Sequence, residues 1–333
     1  MSGVFQRDPV TTLAQTATDG TDATDGTDET VGTMGTPMAV LQSHVHKTNG
    51  AEVLLSSWRV LDADSFSITA HWPRDHAFYR PVHGHYDPLL LAESVRQAVP
   101  LLSHVAYGVP FGHRQAWEQL RFDLNSVALV ATTTPAELEL RIACSDIVRR
   151  GTRLAALTMA VDIALNGQCL GTARTRFNNQ PAAVYQRLRG PYANLARAQA
   201  RALPPGPAVT PARVARDRAE DVVLSPTDRA GRRQLRVDLT HPTLFDHPVD
   251  HAPGMLLLEA ARQAAHLASA RPSTVVAMET EFIRYAEFDS PCWVWTDPLP
   301  SDAQGRRRVL VTLEQNGRRI FAADVTTESA PDL

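Results

Sequence analysis

The sequence predicts an α+β fold of two similar halves, each a long helix wrapped by a curved antiparallel sheet. Three observations predict it. Short runs of alternating apolar and polar residues recur along most of the chain. One long segment, apolar on one side, interrupts those runs in each half. The order strands, helix, strands then occurs twice, with Glu-x-x-Arg-Gln-Ala at the same place in both helical segments.

Composition sets the bounds. With 333 residues, 44% hydrophobic and 21% charged, the chain has apolar material for one or two cores and no sign of global disorder. A formal net charge of -3 gives no global pull toward nucleic acid. Cys144, Cys169 and Cys292 form no CxxC pair and have no histidine at zinc spacing, which fits a reduced, cytoplasmic setting. The opening residues lack the charged-then-apolar order of a signal peptide, and no run reaches the roughly 20 apolar residues of a membrane span. A soluble protein with neither a nucleic-acid nor a membrane partner is expected.

Residues 1–42 include "TDGTDATDGTDET", which has nothing to bury, so disorder is expected there. The first domain is expected over residues 43–188. In it "EVLLSSW" and "SFSITAHW" read as strands, and Asp87–Val105 reads as a helix with Asp87 as N-cap and Pro88 in its first turn. Pro100 should kink or end that helix. "QAWEQLRFDL", "AELELRIAC", "RLAALTMAVDIAL" and "QCLGTARTRF" then read as strands. Residues 189–218, rich in Pro, Ala and Arg, read as a linker with a short helix. The second domain, 219–333, repeats the order with "RQLRVDL", the second helix, "TVVAMETEFIRYAEF", "CWVWTD", "RRVLVTLEQ" and "RRIFAADVTT".

The repeat holds residue by residue. "LLLAESVRQA" (Leu89–Ala98) superimposes on "MLLLEAARQA" (Met255–Ala264), so that Glu93 falls on Glu259 and Arg96 on Arg262. At the same offset His85 falls on His251, and with one residue of slack His76 falls on His241. A helix among about six antiparallel strands needs cover for the rest of its sheet, and two such units can cover each other. The expected architecture is a double hotdog.

Residues at i and i+3 are neighbours on a helix, so Glu93 can pair with Arg96 and Glu259 with Arg262. An isolated pair of this kind would be unremarkable. These are set among Leu and Ala on core-like helices and occur twice, and buried charges are costly unless paired or used. Pro253-Gly254 opens the second helix with free N–H groups that suit an oxyanion, and Gly254 would let a carbonyl approach. The first helix has Pro88 there, which has no N–H. His76, His83, His85, His241, His247 and His251 form no i, i+4 helical pair with a third ligand, so a metal site is not expected; they read as loop residues, one of them lining a site. Arg306, Arg307 and Arg308 read as a solvated turn.

Laid out in this way, the chain resembles the AfsA family of A-factor-type γ-butyrolactone autoregulator synthases. The resemblance runs from Val45 to about Thr327 through "VHKT" (Val45–Thr48), "HGHYDPLLLAESVRQA" (His83–Ala98), "VPFGH" (Val109–His113) and "SPTDRAGRRQLRVDLTHPTLFDHPVDHAPGMLLLEAARQAA" (Ser225–Ala265). It implies two fused hotdog units akin to β-hydroxyacyl-carrier-protein dehydratases. The spacing from Gly254 to Glu259 matches those dehydratases, whereas their histidine would fall at Phe245, which implies a retained helix and a changed reaction.

The reaction implied is transfer of a 3-oxoacyl group from acyl carrier protein to the hydroxyl of dihydroxyacetone phosphate, on the way to a γ-butyrolactone or butenolide signal. The family's essential glutamate carries over to Glu93 and its essential arginine to Arg262, with Arg96, Glu259, Gly254, His85 and His251 in support. A carboxylate among Leu89, Leu90 and Leu91 is expected to have a raised pKa and to accept the hydroxyl proton. Arg262 offers a fork of donors for phosphate or oxyanion. No metal, nucleotide or flavin cofactor is required, and a homo-oligomer is compatible with the sequence. Two other readings are a thioesterase or dehydratase of the same fold, and a non-catalytic acyl-ligand sensor, against which the lack of a DNA-binding helix-turn-helix weighs.

Overall fold

The structure, a computed structural model, describes residues 35–229 and 231–329. Of the stretch expected to be disordered, residues 1–34 lie outside that range. The remainder already carries a short strand, β1 (Met38–Ala39), paired with β2 (Leu55–Asp62). The chain turns at Asp64, in the left-handed region (φ 56°) that Asp tolerates better than most residues, into β3 (Ser65–Trp72). Phe66, Ile68, Ala70 and Trp72 alternate along β3 and are buried, as the period of a strand on a core requires.

Helix α1 (Leu89–Val105) follows. Asp87 Oδ1 accepts the Leu89 N–H at 2.9 Å, so Asp87 satisfies a helix-start donor as its sequence position suggests. Pro100 does not end the helix. Leu101 and Leu102, just beyond it, are fully buried, and their packing holds the last turn despite the missing donor. The strands β4 (Arg114–Leu124), β5 (Ala136–Arg150), β6 (Arg153–Leu165) and β7 (Gln168–Gln180) complete the first half. Asn166-Gly167 joins β6 to β7 with both residues at positive φ (49° and 77°), the twist that suits a two-residue hairpin.

The joining segment is more than a tether. It holds the end of α2 (Ala182–Arg189), then α3 (Leu195–Ala200) and a 3-10 turn at Pro211–Val214, and it buries Val214 and Arg216. The second half contains β8 (Leu224–Ser225), β9 (Arg232–Leu235), α4 (Gly254–Ala268), β10 (Ser273–Phe282), β11 (Cys292–Leu299), β12 (Arg307–Gln315) and β13 (Arg318–Ser329). β9 stops short of the expected "RQLRVDL" because Arg236 turns away, its guanidinium donating to the Gly206 and Val222 carbonyls.

All pairings are antiparallel, in one sheet of order β1-β2-β3-β5-β6-β7-β4-β10-β13-β12-β11-β9-β8. β4 and β10 meet at its centre, from Asp123↔Ala277 to Gln119↔Glu281. Outward from that pair both halves run in the same order, and α1 and α4 lie against each other. The fold is α+β, two hotdog units fused edge to edge.

Candidate active site

Each long helix presents Glu, Arg and Gln at i, i+3 and i+4, hence on one face. On α1, Glu93 accepts from Arg96 Nε and Nη2 (both 2.8 Å) and from Gln97 Nε2 (2.8 Å). On α4, Glu259 accepts from Arg262 Nε and Nη2 (2.8 and 2.7 Å) and from Gln263 Nε2 (2.6 Å). Each glutamine is itself fixed to the adjoining loop. Leu54 N donates to Gln97 Oε1 and Gln97 Nε2 to the Glu52 carbonyl; Val223 N and the Asp221 carbonyl serve Gln263 in the same way.

A second cation completes each network. Lys47 Nζ lies 3.0 Å from Glu93 Oε1. Arg216 donates from Nε and Nη2 to the two Glu259 oxygens (2.9 and 2.8 Å) and from Nη1 to Asp87 Oδ2 (2.9 Å) and the Phe78 carbonyl (3.0 Å). Both follow a 3-10 turn and a left-handed residue, His46 (φ 53°) and Ala215 (φ 52°). Sequence reasoning missed these two cations. Their signal in the sequence was a Val-x-cation pattern in each half, Val45-His46-Lys47 and Val214-Ala215-Arg216, and the structure buries both valines fully.

The charges decide the ionisation. Burial raises both carboxyls, but Arg96 and Lys47, with hydrogen bonds from Arg96 and Gln97, hold Glu93 well below the usual carboxylate range. Arg216 and Arg262 likewise outweigh burial and bring Glu259 to about 2. This corrects the expectation of a raised Glu93 pKa. The leucines desolvate the carboxyl, yet two adjacent cations stabilise its charged form more than desolvation penalises it.

The two networks differ in access. The Glu259, Arg262 and Arg216 side chains are 0%, 3% and 3% exposed, and Arg262 Nη2 also donates to the Val214 carbonyl at 3.1 Å. Arg96 is 23% exposed, which opens the first network to solvent. Asp246, in the loop before α4, accepts the Thr48 and Asn49 N–H groups (2.8 and 3.0 Å), and His247 stands next to it. A loop of the second repeat therefore lies over the first repeat's network. Behind Lys47, His46 Nε2 is 2.8 Å from His104 Nε2, and His104 Nδ1 donates to the Val109 carbonyl at 2.6 Å. Burial, then the positive surroundings of His104, Arg96, His247 and Arg114, lower His46 to about 4, so it is neutral at physiological pH.

The A-factor biosynthesis hotdog domain matches this chain twice, over residues 29–179 and 198–331. The chain belongs to the AfsA family. A 2-oxo-3-(phosphooxy)propyl 3-oxoalkanoate synthase of Streptomyces virginiae is 44% identical over 290 residues, 86% of this chain and 97% of that one. One of Streptomyces coelicolor is 43% identical over 301 residues, 89% and 93% of the two chains. Among solved structures, an oleoyl thioesterase from Lactobacillus plantarum superimposes with a TM-score of 0.53 at 11% identity over 82% of this chain and 98% of its own, a likeness of fold alone.

In this AfsA-family chain Glu93 and Arg262 share no hydrogen bond or ion pair; each is bonded to its neighbour on its own helix. Gly254 begins α4 as read from the sequence, but the close approach it permits is taken by an indole. A Cβ there would stand 2.8 Å from Trp117 Cε3 and 3.4 Å from Phe282 Cε1. His85 is a loop residue, its Nδ1 bonded to the His83 carbonyl at 3.0 Å and its backbone bridged to Val82 and Val130. His251 lies beside Asp250, with Nδ1 to Oδ1 2.6 Å. His76 and His241 are equivalent caps: each Nδ1 accepts two backbone N–H groups of its own loop. Among the described residues no group of three His, Cys, Asp or Glu side chains converges to hold a metal, and no helix is long and apolar enough to cross a membrane.

Proposed function

We propose that this AfsA-family chain transfers a 3-oxoacyl group from its acyl carrier protein thioester to the primary hydroxyl of dihydroxyacetone phosphate. The product is a 2-oxo-3-(phosphooxy)propyl 3-oxoalkanoate, the reaction named for its Streptomyces relatives. That ester is a precursor of a γ-butyrolactone or butenolide autoregulator, and the work is cytoplasmic. The observation that carries the reading is the open Glu93 network: an ionised buried carboxylate fixes two cations, and one of them, Arg96, reaches solvent under a loop of the other repeat.

Such a site suits a phosphorylated acceptor. Arg96 has Nε and Nη2 on Glu93, which leaves Nη1 for the phosphate, and Lys47 and His247 add positive or donor groups nearby. Glu93 is essential in this reading because it orients those cations. Arg262 is essential because it holds Glu259 and, through it, Arg216, which ties the repeats together; Gly254 and His85 shape the adjoining loops.

The test is direct. Purified protein, a 3-oxoacyl carrier protein and dihydroxyacetone phosphate should release thiol and form the ester, followed by mass spectrometry. Thiol release that ignores the phosphate acceptor would make the chain a hydrolase, and folded protein that forms no ester would sink the reading.

A further inference from the structure

The loop 246–251 contains two Asp-His pairs, and they are used differently. Asp246 is occupied by the Thr48 and Asn49 N–H groups. Asp250 faces its neighbour: His251 Nδ1 lies 2.6 Å from Oδ1, and the Tyr185 hydroxyl donates to the same carboxylate at 2.6 and 2.8 Å. Burial raises the Asp250 carboxyl, but the hydrogen bonds from His251 and Tyr185, and then the charge of Arg189, lower it and keep it ionised. An ionised carboxylate only accepts, so Nδ1 carries a proton toward Asp250 and Nε2 is the ring nitrogen left for another partner.

The ring is held in place while that nitrogen stays open. Tyr285 packs edge-on against it at 4.6 Å, and Arg189, itself paired with Glu287, donates to the Asp250 carbonyl at 3.3 Å. The His251 side chain is 25% exposed, and Nε2 bonds to none of the described residues. A carboxylate orienting an imidazole whose far nitrogen has no partner among the described residues is the arrangement of a general base.

Unpartnered amides lie on the strands against which the start of α4 packs. Gly254, three residues on, packs against Trp117, which pairs with Phe177 across β4 and β7. Two positions along the same sheet face, Gln115 stands opposite Asn179. Asn179 is 5% exposed and neither of its amide atoms has a partner, nor has Gln115 Nε2. Buried amides without partners are disfavoured, and three such atoms stand two positions along the strands from Trp117 and Phe177. Arg114, next on β4, sits 5.7 Å from the ring centroid of Tyr185, whose hydroxyl donates to Asp250.

We propose that His251, oriented by Asp250, is the acid–base residue of the acyl transfer. The assignment rests on the acyl-transfer reading above. His251 Nε2 takes the proton of the acceptor hydroxyl as that oxygen bonds to the thioester carbonyl carbon. The tetrahedral adduct then collapses, the C–S bond breaks, and the departing thiolate takes the same proton from the imidazolium. Nothing is oxidised or reduced. Glu93, ionised and bonded to Lys47, Arg96 and Gln97, is left to its orienting part.

The experiment measures ester formation by full-length wild type, His251→Ala and His251→Gln, with thermal unfolding alongside. Both variants should lose at least about 100-fold in kcat, with KM for dihydroxyacetone phosphate and the melting temperature little changed. Added imidazole should restore part of the rate to His251→Ala but not to His251→Gln, whose side chain fills the space. A variant rate within about threefold of wild type, a loss confined to KM, or no imidazole rescue would overturn the assignment. Failure of both variants to fold would also count against it, because a partly exposed ring would then be structural. If wild type itself forms no ester, the acyl-transfer reading falls first and the assignment with it.

Discussion

Arg216 donates to Asp87 Oδ2 at 2.9 Å while gripping both oxygens of Glu259, so one guanidinium fastens the approach to α1 to the middle of α4. It also lies 4.2 Å above the Phe78 ring. Arg216→Met would leave two carboxylates buried with fewer cations, and removing one partner of a buried pair costs about 3–5 kcal/mol. Urea unfolding should show that loss, and Arg216→Met combined with Glu259→Gln should recover part of it. A single-variant loss below about 1 kcal/mol would show the link to be dispensable.

Arg96 and Lys47 both bear on binding and on stability. Arg96→Met should raise KM for dihydroxyacetone phosphate at least about tenfold, the scale of one lost charged hydrogen bond, and should lower the melting temperature too, because it leaves the buried Glu93 carboxylate with Lys47 as its cation. Lys47, 4% exposed, should cost stability as well when replaced by Met. Steady-state kinetics with varied acceptor check the first statement. An unchanged KM would move the phosphate away from Arg96.

Acid should destabilise the protein in two stages. His46 and His266, brought down chiefly by burial to about 4 and about 3, are neutral in the fold while the unfolded chain takes protons below 6.5. Their contribution is whole above 6.5 and is lost as pH falls through the folded values. Glu259, at about 2 against a usual 4.5, contributes fully above 4.5 and loses that contribution as pH falls toward 2, and Glu93 acts in the same direction. Between pH 7 and pH 4.5 the melting temperature of His46→Gln should fall less than that of wild type, by roughly 5 °C. Equal slopes would remove His46 from the acid response.

Gly254→Ala should destabilise by about 1–3 kcal/mol, the usual cost of overpacking, because the new methyl meets the Trp117 ring. In a double-mutant cycle with Trp117→Leu the two costs should be less than additive. Additivity would mean that the methyl is accommodated elsewhere.

Much of the fold was legible in local pattern. The runs read as β6 and β12 coincide with the strands at Arg153–Leu165 and Arg307–Gln315, because alternation on a half-buried sheet is a local property. The i, i+3 pairs of Glu93 with Arg96 and Glu259 with Arg262 were legible for the same reason. What local pattern does not carry is which distant cation reaches a carboxylate. Lys47 and Arg216 act across 46 and 43 positions of chain, and without them the sign of the Glu93 shift was misjudged. That the helix runs on past Pro100 was not legible for a related reason, since the packing around Leu101 and Leu102 is not a local property.

β4 and β10 meet in the middle of the sheet as two subunits of a dimer would, yet both belong to one polypeptide. Where two identical subunits associate, every substitution is made twice and both sites change in step. A fused pair is released from that constraint. One copy can be hardened into masonry while the other keeps an opening, and Glu259 locked by Arg216 opposite Glu93 served by a solvent-reaching Arg96 is such a division of labour.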